Sequence, residues 1–272
     1  MSTTTPSSKK VTAEDGAVVS TSGRRVQGWL LILLVFVAGA CSLAVELSAS
    51  RLLAPYFGTS LFVWANLIGL ILLYLTIGYY LGGRLADRYP RPAVLYLLTI
   101  IASVLVGLIP VISRPILFWS LSAFATYSVS VFYGSLVSVI LLFALPMILL
   151  GCVSPFAIRL SVEQVVKSGR TAGQLYAIST AGSILGTFLP VLWLIPTIGT
   201  YRTFIVFAVS LLLVSIAGLT ASMPYTGGGS RFRGNKNLLP LLLLIPMGLS
   251  LFGSQGPIKP PSGTNGGGVL VT

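Results

Sequence analysis

A chain of 272 residues that is 55% hydrophobic and only 8% charged carries more apolar side chain than one water-facing fold can bury, so lipid is its natural solvent. A formal charge of +12 would suit nucleic acid, yet the lysines and arginines stand singly or in short groups between long apolar runs and read as membrane flanks, which removes nucleic acid as a partner. Histidine is absent and only five acids are present, so no metal centre and no cofactor site is expected.

Residues 1–27 are rich in Ser, Thr and small side chains and are expected to form a mobile leader. Arg24 and Arg25 precede an apolar run that reaches Ala38-Gly39-Ala40-Cys41, loosely like a lipoprotein cleavage site. The leader is long and the run continues past the cysteine, so an uncleaved first helix is the better reading. A helix needs roughly 20 apolar residues to cross the hydrocarbon core. On that rule the sequence predicts spans near 28–48, 62–82, 93–113, 131–154, 174–195 and 202–222, a six-helix domain over 28–222. The apolar stretch Pro115 to Val129, with Phe118, Trp119 and Tyr127, is predicted as a membrane-surface loop. Residues 223–237, with Gly227 to Ser230 inside them, read as a basic linker. Leu238 to Phe252 is a possible short seventh helix interrupted by Pro240 and Pro246, and residues 253–272 are a Gly- and Pro-rich tail. The fold class is thus an all-α transmembrane bundle of six to seven helices.

The basic residues alternate between sides. One side collects Lys9, Lys10, Arg24, Arg25, Arg84, Arg88, Arg91, Arg159, Lys167, Arg170, Arg231, Arg233 and Lys236. The other holds Arg51, Arg114, Arg202 and Lys259. The positive-inside bias then places the N-terminus in the cytoplasm. Cys41 and Cys152 fall in apolar runs at different depths and read as packing residues rather than a disulfide.

Glu14 and Asp15 lie in the leader, which leaves Glu46, Asp87 and Glu163 as the acids of interest. Glu46 is inside the first span, where an ionised carboxylate is costly unless paired, hydrated or protonated. It reads either as a proton or cation site in a cavity or as half of an ion pair with Arg51, which is expected to fold back from beyond the helix end before Pro55. Between the second and third spans, Gly82, Gly83, Arg84, Asp87 and Arg88 form a tight cytoplasmic connection. Asp87 could accept from a neighbouring helix N-terminus there, and Arg84, Arg88 and Arg91 could anchor to phosphate head groups or carboxylates. Gly78 with Gly82, and Gly182 with Gly186, form small-residue packing faces in spans two and five, and Ala177, Ser179 and Ala181 extend the second. Pro146, Gly151 and Pro155 break the fourth span near its cytoplasmic end, as a kink or at a wet cavity. Asn66, Tyr74 and Thr76 give the second helix polar groups for the interior, while Tyr79 and Tyr80 suit the interfacial belt.

The Gly82 to Arg88 connection resembles the loop between helices two and three of the major facilitator superfamily. Further elements stand in order: Glu46 with Arg51 to Gly58, then Gly82 to Arg88, Pro146, Gly151, Ser154-Pro155-Phe156, Arg159, Gly173 to Ala177, Gly182, Gly186, Pro196 and Gly199. Together, over roughly residues 30–222, they resemble the membrane region of bacterial spermidine-synthase-like proteins, in which a facilitator-type helical domain is fused to a soluble aminopropyltransferase-like domain. The resemblance implies one half of a facilitator fold and a gating role for the Gly82 to Arg88 connection. The chain departs from the family after Phe252, where no acid follows Glu163 and Gly266 to Gly268 have no room for a βαβ unit, so the enzyme half is expected to be missing here.

Two functions follow. The first is a non-catalytic membrane scaffold or anchor for another subunit, either a soluble synthase-like enzyme or a larger membrane complex. The second is a small-solute, cation or polyamine transporter working as a homodimer with Glu46 as its coupling group. A membrane enzyme is disfavoured, because no nucleophile–base pair or phosphate loop is visible.

Overall fold

The computed structural model describes residues 18–124, 130–162 and 168–222. The rest of the leader, Glu163, the basic linker at 223–237, the possible seventh helix Leu238 to Phe252 and the tail lie outside the described residues. The described part is all helix: α1 (Val18–Phe57), α2 (Leu61–Arg88), α3 (Pro92–Phe124), α4 (Ser130–Gly151), α5 (Val153–Ser161), α6 (Ser168–Leu189), α7 (Ile195–Ile198) and α8 (Thr200–Ser222). A π turn over Pro190–Leu194 joins α6 to α7. Among the described residues six spans are long and apolar enough to cross a bilayer: Gln27–Phe57, Leu61–Arg88, Pro92–Ala123, Val131–Ser161, Ser168–Ile198 and Thr200–Ser222. The chain is a multi-pass helical membrane protein.

The helices overrun the apolar runs that announced them. Helix α1 has 40 residues, about 60 Å at the usual rise, against a hydrocarbon core of roughly 30 Å. Residues 18–27 of the expected leader are its first turns, and Arg51 and Pro55 lie inside it rather than beyond it. Helix α3 likewise runs through Pro110 and Pro115 to Phe124, so most of the predicted surface loop is helical. The reason is amphipathic spacing: Leu117 and Ser120 are fully buried while Phe118 and Trp119 stand exposed, which lays that segment on the bundle. Helix α2 extends through Arg88, so Gly82 to Arg88 is the last part of a helix, not a loop. Tyr89 ends it, since a residue before proline is pushed out of the helical region, and its φ and ψ are −134° and 71°.

Helix α1 packs on α6 and α8, α4 packs on α2 and α3, and α3 packs on α8. Exchanging the first three spans with the last three turns the α1–α6 pairing into α4–α2 and the α1–α8 pairing into α4–α3, and leaves α3–α8 unchanged. The pairings therefore have the pattern of two three-helix units of opposite orientation. Their equivalent seams are built alike. Between α2 and α4, a Cβ on Gly78 would strike the Ile148 carbonyl, and one on Gly82 would lie 2.5 Å from the Cys152 Cα. Between α1 and α6, a Cβ on Gly182 would strike the Phe36 carbonyl, one on Gly186 the Ala40 carbonyl, and one on Gly39 the Ser179 carbonyl. In lipid there is no hydrophobic force between helices, so this close backbone contact is a main source of their association.

Each seam also carries a polar tie. The Asn66 side-chain amide donates to the Phe132 carbonyl and to Ser135 Oγ, both at 2.9 Å, across α2–α4. Ser183 Oγ donates to the Gly39 carbonyl at 3.2 Å across α6–α1, and Ser215 Oγ to Thr99 Oγ1 at 2.7 Å across α8–α3. Such bonds contribute about 0.6 kcal/mol each in membranes. The core between them holds Leu34, Leu53, Leu67, Ile71, Phe143 and Phe204, all buried, with the Phe143 and Phe204 rings stacked at 6.4 Å. Cys41 and Cys152 are buried free thiols. The fourth span is interrupted at Cys152, between α4 and α5 and at the point where Gly82 presses on it, while Pro146 sits within α4 and Pro155 within α5.

Gly182→Leu should lower the melting temperature of the purified chain in detergent by the equivalent of about 1–3 kcal/mol through overpacking. Gly69→Leu, at a glycine with open space around it, should leave it unchanged. Equal effects at the two positions would refute the seam assignment.

Candidate functional site

Three places hold the residues singled out from the sequence. The first is Glu46 on α1. It is half-buried, and among the described residues it makes no hydrogen bond and no ion pair. The expected partner Arg51 is exposed and unpaired. Five residues along a continuous helix turn it about 140° away from Glu46, which is why the fold-back contact does not form. Glu46 stands seven residues after Gly39, on the same helical face, and Gly39 is the residue pressed against Ser179 of α6. The π turn at Pro190–Leu194 also touches α1. Turns of this kind occur disproportionately at functional sites because they re-aim backbone groups. Nothing in the expected spans pointed to it; Pro190, which removes one helical hydrogen bond, is the signal that could have.

The second place is the arginine-rich end of the bundle. Asp87 accepts a hydrogen bond from Arg159 Nε at 2.9 Å, joining the end of α2 to α5. Both side chains are well exposed, 74% for Asp87 and 51% for Arg159, so the pair contributes on the order of 0–1 kcal/mol and acts to align two helix ends. Arg84 lies over the Tyr80 ring at 4.4 Å and Arg88 over the Tyr89 ring at 5.8 Å, which holds both at the level of the exposed tyrosines. Gly82 is required by its contact with Cys152, whereas the space beside Gly83 is open. The structure thus gives Asp87 a guanidinium from another span instead of a helix N-terminus.

The third place is the outward sides of α2 and α6, the spans at the two ends of the packing order α2–α4–α3–α8–α1–α6. These two spans are the least buried, with 33% and 17% of their most apolar windows covered, against 44–56% for the other four. They are also the two least apolar. That order is the reverse of what lipid exposure demands, because the helices most open to hydrocarbon should be the most hydrophobic. The exposed side of α6 carries Gln174, Tyr176 and Thr180 beside a stripe of Gly173, Ala177 and Ala181. Ala177 and Ala181 therefore do not extend the Gly182 seam, as expected from spacing alone, but lie on the outer side; Ser179 does join the seam. On α2 the outer side includes Trp64, Leu72, Thr76 and Tyr80. Thr76 bonds to its own helix at Leu72, while Asn66 and Tyr74 are the inward polar groups.

Among the described residues no group of histidine, cysteine and carboxylate side chains could hold a metal ion. No family model, no curated protein and no solved structure matches the chain.

Proposed function

We propose that the chain is a membrane module that works by holding another subunit along the α2–α6 face, as a scaffold or anchor rather than a catalyst. The observation that carries this reading is the inverted order of exposure and hydropathy: the spans left most open are the least suited to lipid. Small exposed residues at Gly173, Ala177 and Ala181 support it, because a four-residue spacing of this kind lets a second helix approach closely. The partner is a second copy of the chain or another membrane-anchored subunit, and a soluble synthase-like enzyme could be carried through such a subunit. The bundle resembles one half of a facilitator fold in its exchangeable three-helix units. The arginine-rich end faces the cytoplasm of a bacterial inner membrane.

The test is positional. Extracted from native membranes in mild detergent, the chain should run as a higher-mass species; Ala181→Trp should remove that species, while Ile101→Trp, on an exposed position of α3, should leave it intact. A monomer in every case, or loss of the complex with both variants alike, would contradict the reading.

A second reading is favoured by Glu46. An unpaired, half-buried carboxylate on the helix that meets the π turn suits a proton- or cation-coupled transporter assembled from two copies across the same face. In reconstituted vesicles, Glu46→Gln should reduce proton-coupled uptake at least tenfold with the helical content retained. Uptake at the wild-type rate would take Glu46 out of the mechanism.

A further inference from the structure

At the arginine-rich end, the first turns of the membrane part of α1, the starts of α3 and α6 and the end of α5 enclose a half-open cavity of about 400 Å³. That is within the roughly 300–1,000 Å³ typical of small-molecule sites. Its lining is two-sided in character. Leu31, Ile32, Leu175 and Ile178 make it apolar, while Gln27 and Gln174 supply amide groups. Tyr96 also lines it; this residue is fully buried, packed against Gly218, and its hydroxyl has no hydrogen-bond partner.

Charge selects the ligand. Among the described residues no acid lines the cavity. Arg91 and Arg170 are exposed and immediately precede the lining residues Pro92 and Thr171, and neither is engaged by a carboxylate. The one described carboxylate at this end, Asp87, is taken by Arg159. The starts of α3 and α6 add the positive ends of two helix dipoles. Beside the cavity α1 exposes Trp29 at 74% and Leu33 at 44%, an aromatic and an aliphatic group at the level where head groups meet acyl chains.

We infer that this cavity is a head-group site for an anionic phospholipid. The phosphodiester sits between Arg91 and Arg170, and an acyl chain leaves along Trp29 and Leu33. Basic pockets between helices are a recurrent way of holding such lipids. The site shares Gln174 with the α2–α6 face, but its test is read at Arg91 and Arg170 and does not depend on that face being an interface.

The full chain, purified in a neutral detergent, is titrated with dioleoylphosphatidylglycerol, with dioleoylphosphatidylcholine and with sn-glycerol 3-phosphate, following thermal stability and one-to-one adducts by native mass spectrometry. Phosphatidylglycerol should raise the melting temperature saturably, and the other two should not. Arg91→Gln and Arg170→Gln should each weaken it about fivefold. Arg202→Gln, at the opposite end, should have no effect. Equal stabilisation by phosphatidylcholine, or retention of full affinity in both arginine variants, would overturn the site. An equal response to glycerol 3-phosphate would overturn the lipid assignment in favour of a soluble phosphate ester.

Discussion

Backbone-to-backbone contact across α1–α6 and α2–α4 is the constraint from which the remaining architecture follows. Where Gly182 and Gly186 meet the carbonyls of Phe36 and Ala40, and Gly78 and Gly82 meet Ile148 and Cys152, there is room for no side chain at all. Two helices that touch this closely cannot slide or rotate without a clash, so each seam sets both distance and register. The two seams then hold the first helix of one three-helix unit against the second helix of the other. The α3–α8 contact, tied by Ser215 and Thr99, closes the bundle on one side only.

That asymmetry leaves surfaces of the bundle open. Because the glycine faces of α2 and α6 are consumed by α4 and α1, their opposite faces point away from the bundle. Those faces hold Thr76, Gln174, Tyr176 and Thr180 among their apolar residues, a composition better matched to protein or to water than to acyl chains. At the arginine-rich end the same packing brings α1, α3, α5 and α6 close without sealing them, which leaves the cavity under Arg91 and Arg170. The Asp87–Arg159 contact sits beside this region and aligns α2 with α5 at little energetic gain. Glu46 occupies the other part of the α1 face, near the π turn, without a partner of its own.

The number and order of spans were legible because each is a long apolar run bounded by charge or proline, and the glycine pairs were legible because their four-residue spacing has one structural use. Helix ends were not. A run of apolar residues marks where lipid is, whereas a helix continues as long as its backbone is satisfied, so α1 absorbs Arg51 and Pro55 and α3 absorbs Pro115. From that one difference came the mistaken Glu46–Arg51 contact: a fold-back needs a helix end, and the helix goes on. The Asp87–Arg159 pair joins residues 72 apart and depends on tertiary packing that no local pattern reports. Which side of α6 Ala177 and Ala181 occupy was also hidden, since two small-residue stripes on one helix look like a single broad one until a neighbour is placed.

The central claim is that the α2–α6 face meets protein rather than lipid. Spin labels placed one at a time at Thr180 and Ile184 on α6, and at Leu97 and Ile101 on α3, report collisions with dissolved oxygen, which concentrates in the bilayer interior. In native membranes the α6 labels should be shielded relative to the α3 labels, all four positions being exposed in the isolated chain. Equal oxygen accessibility on the two helices would mean that lipid covers both, and the account of this face would be wrong.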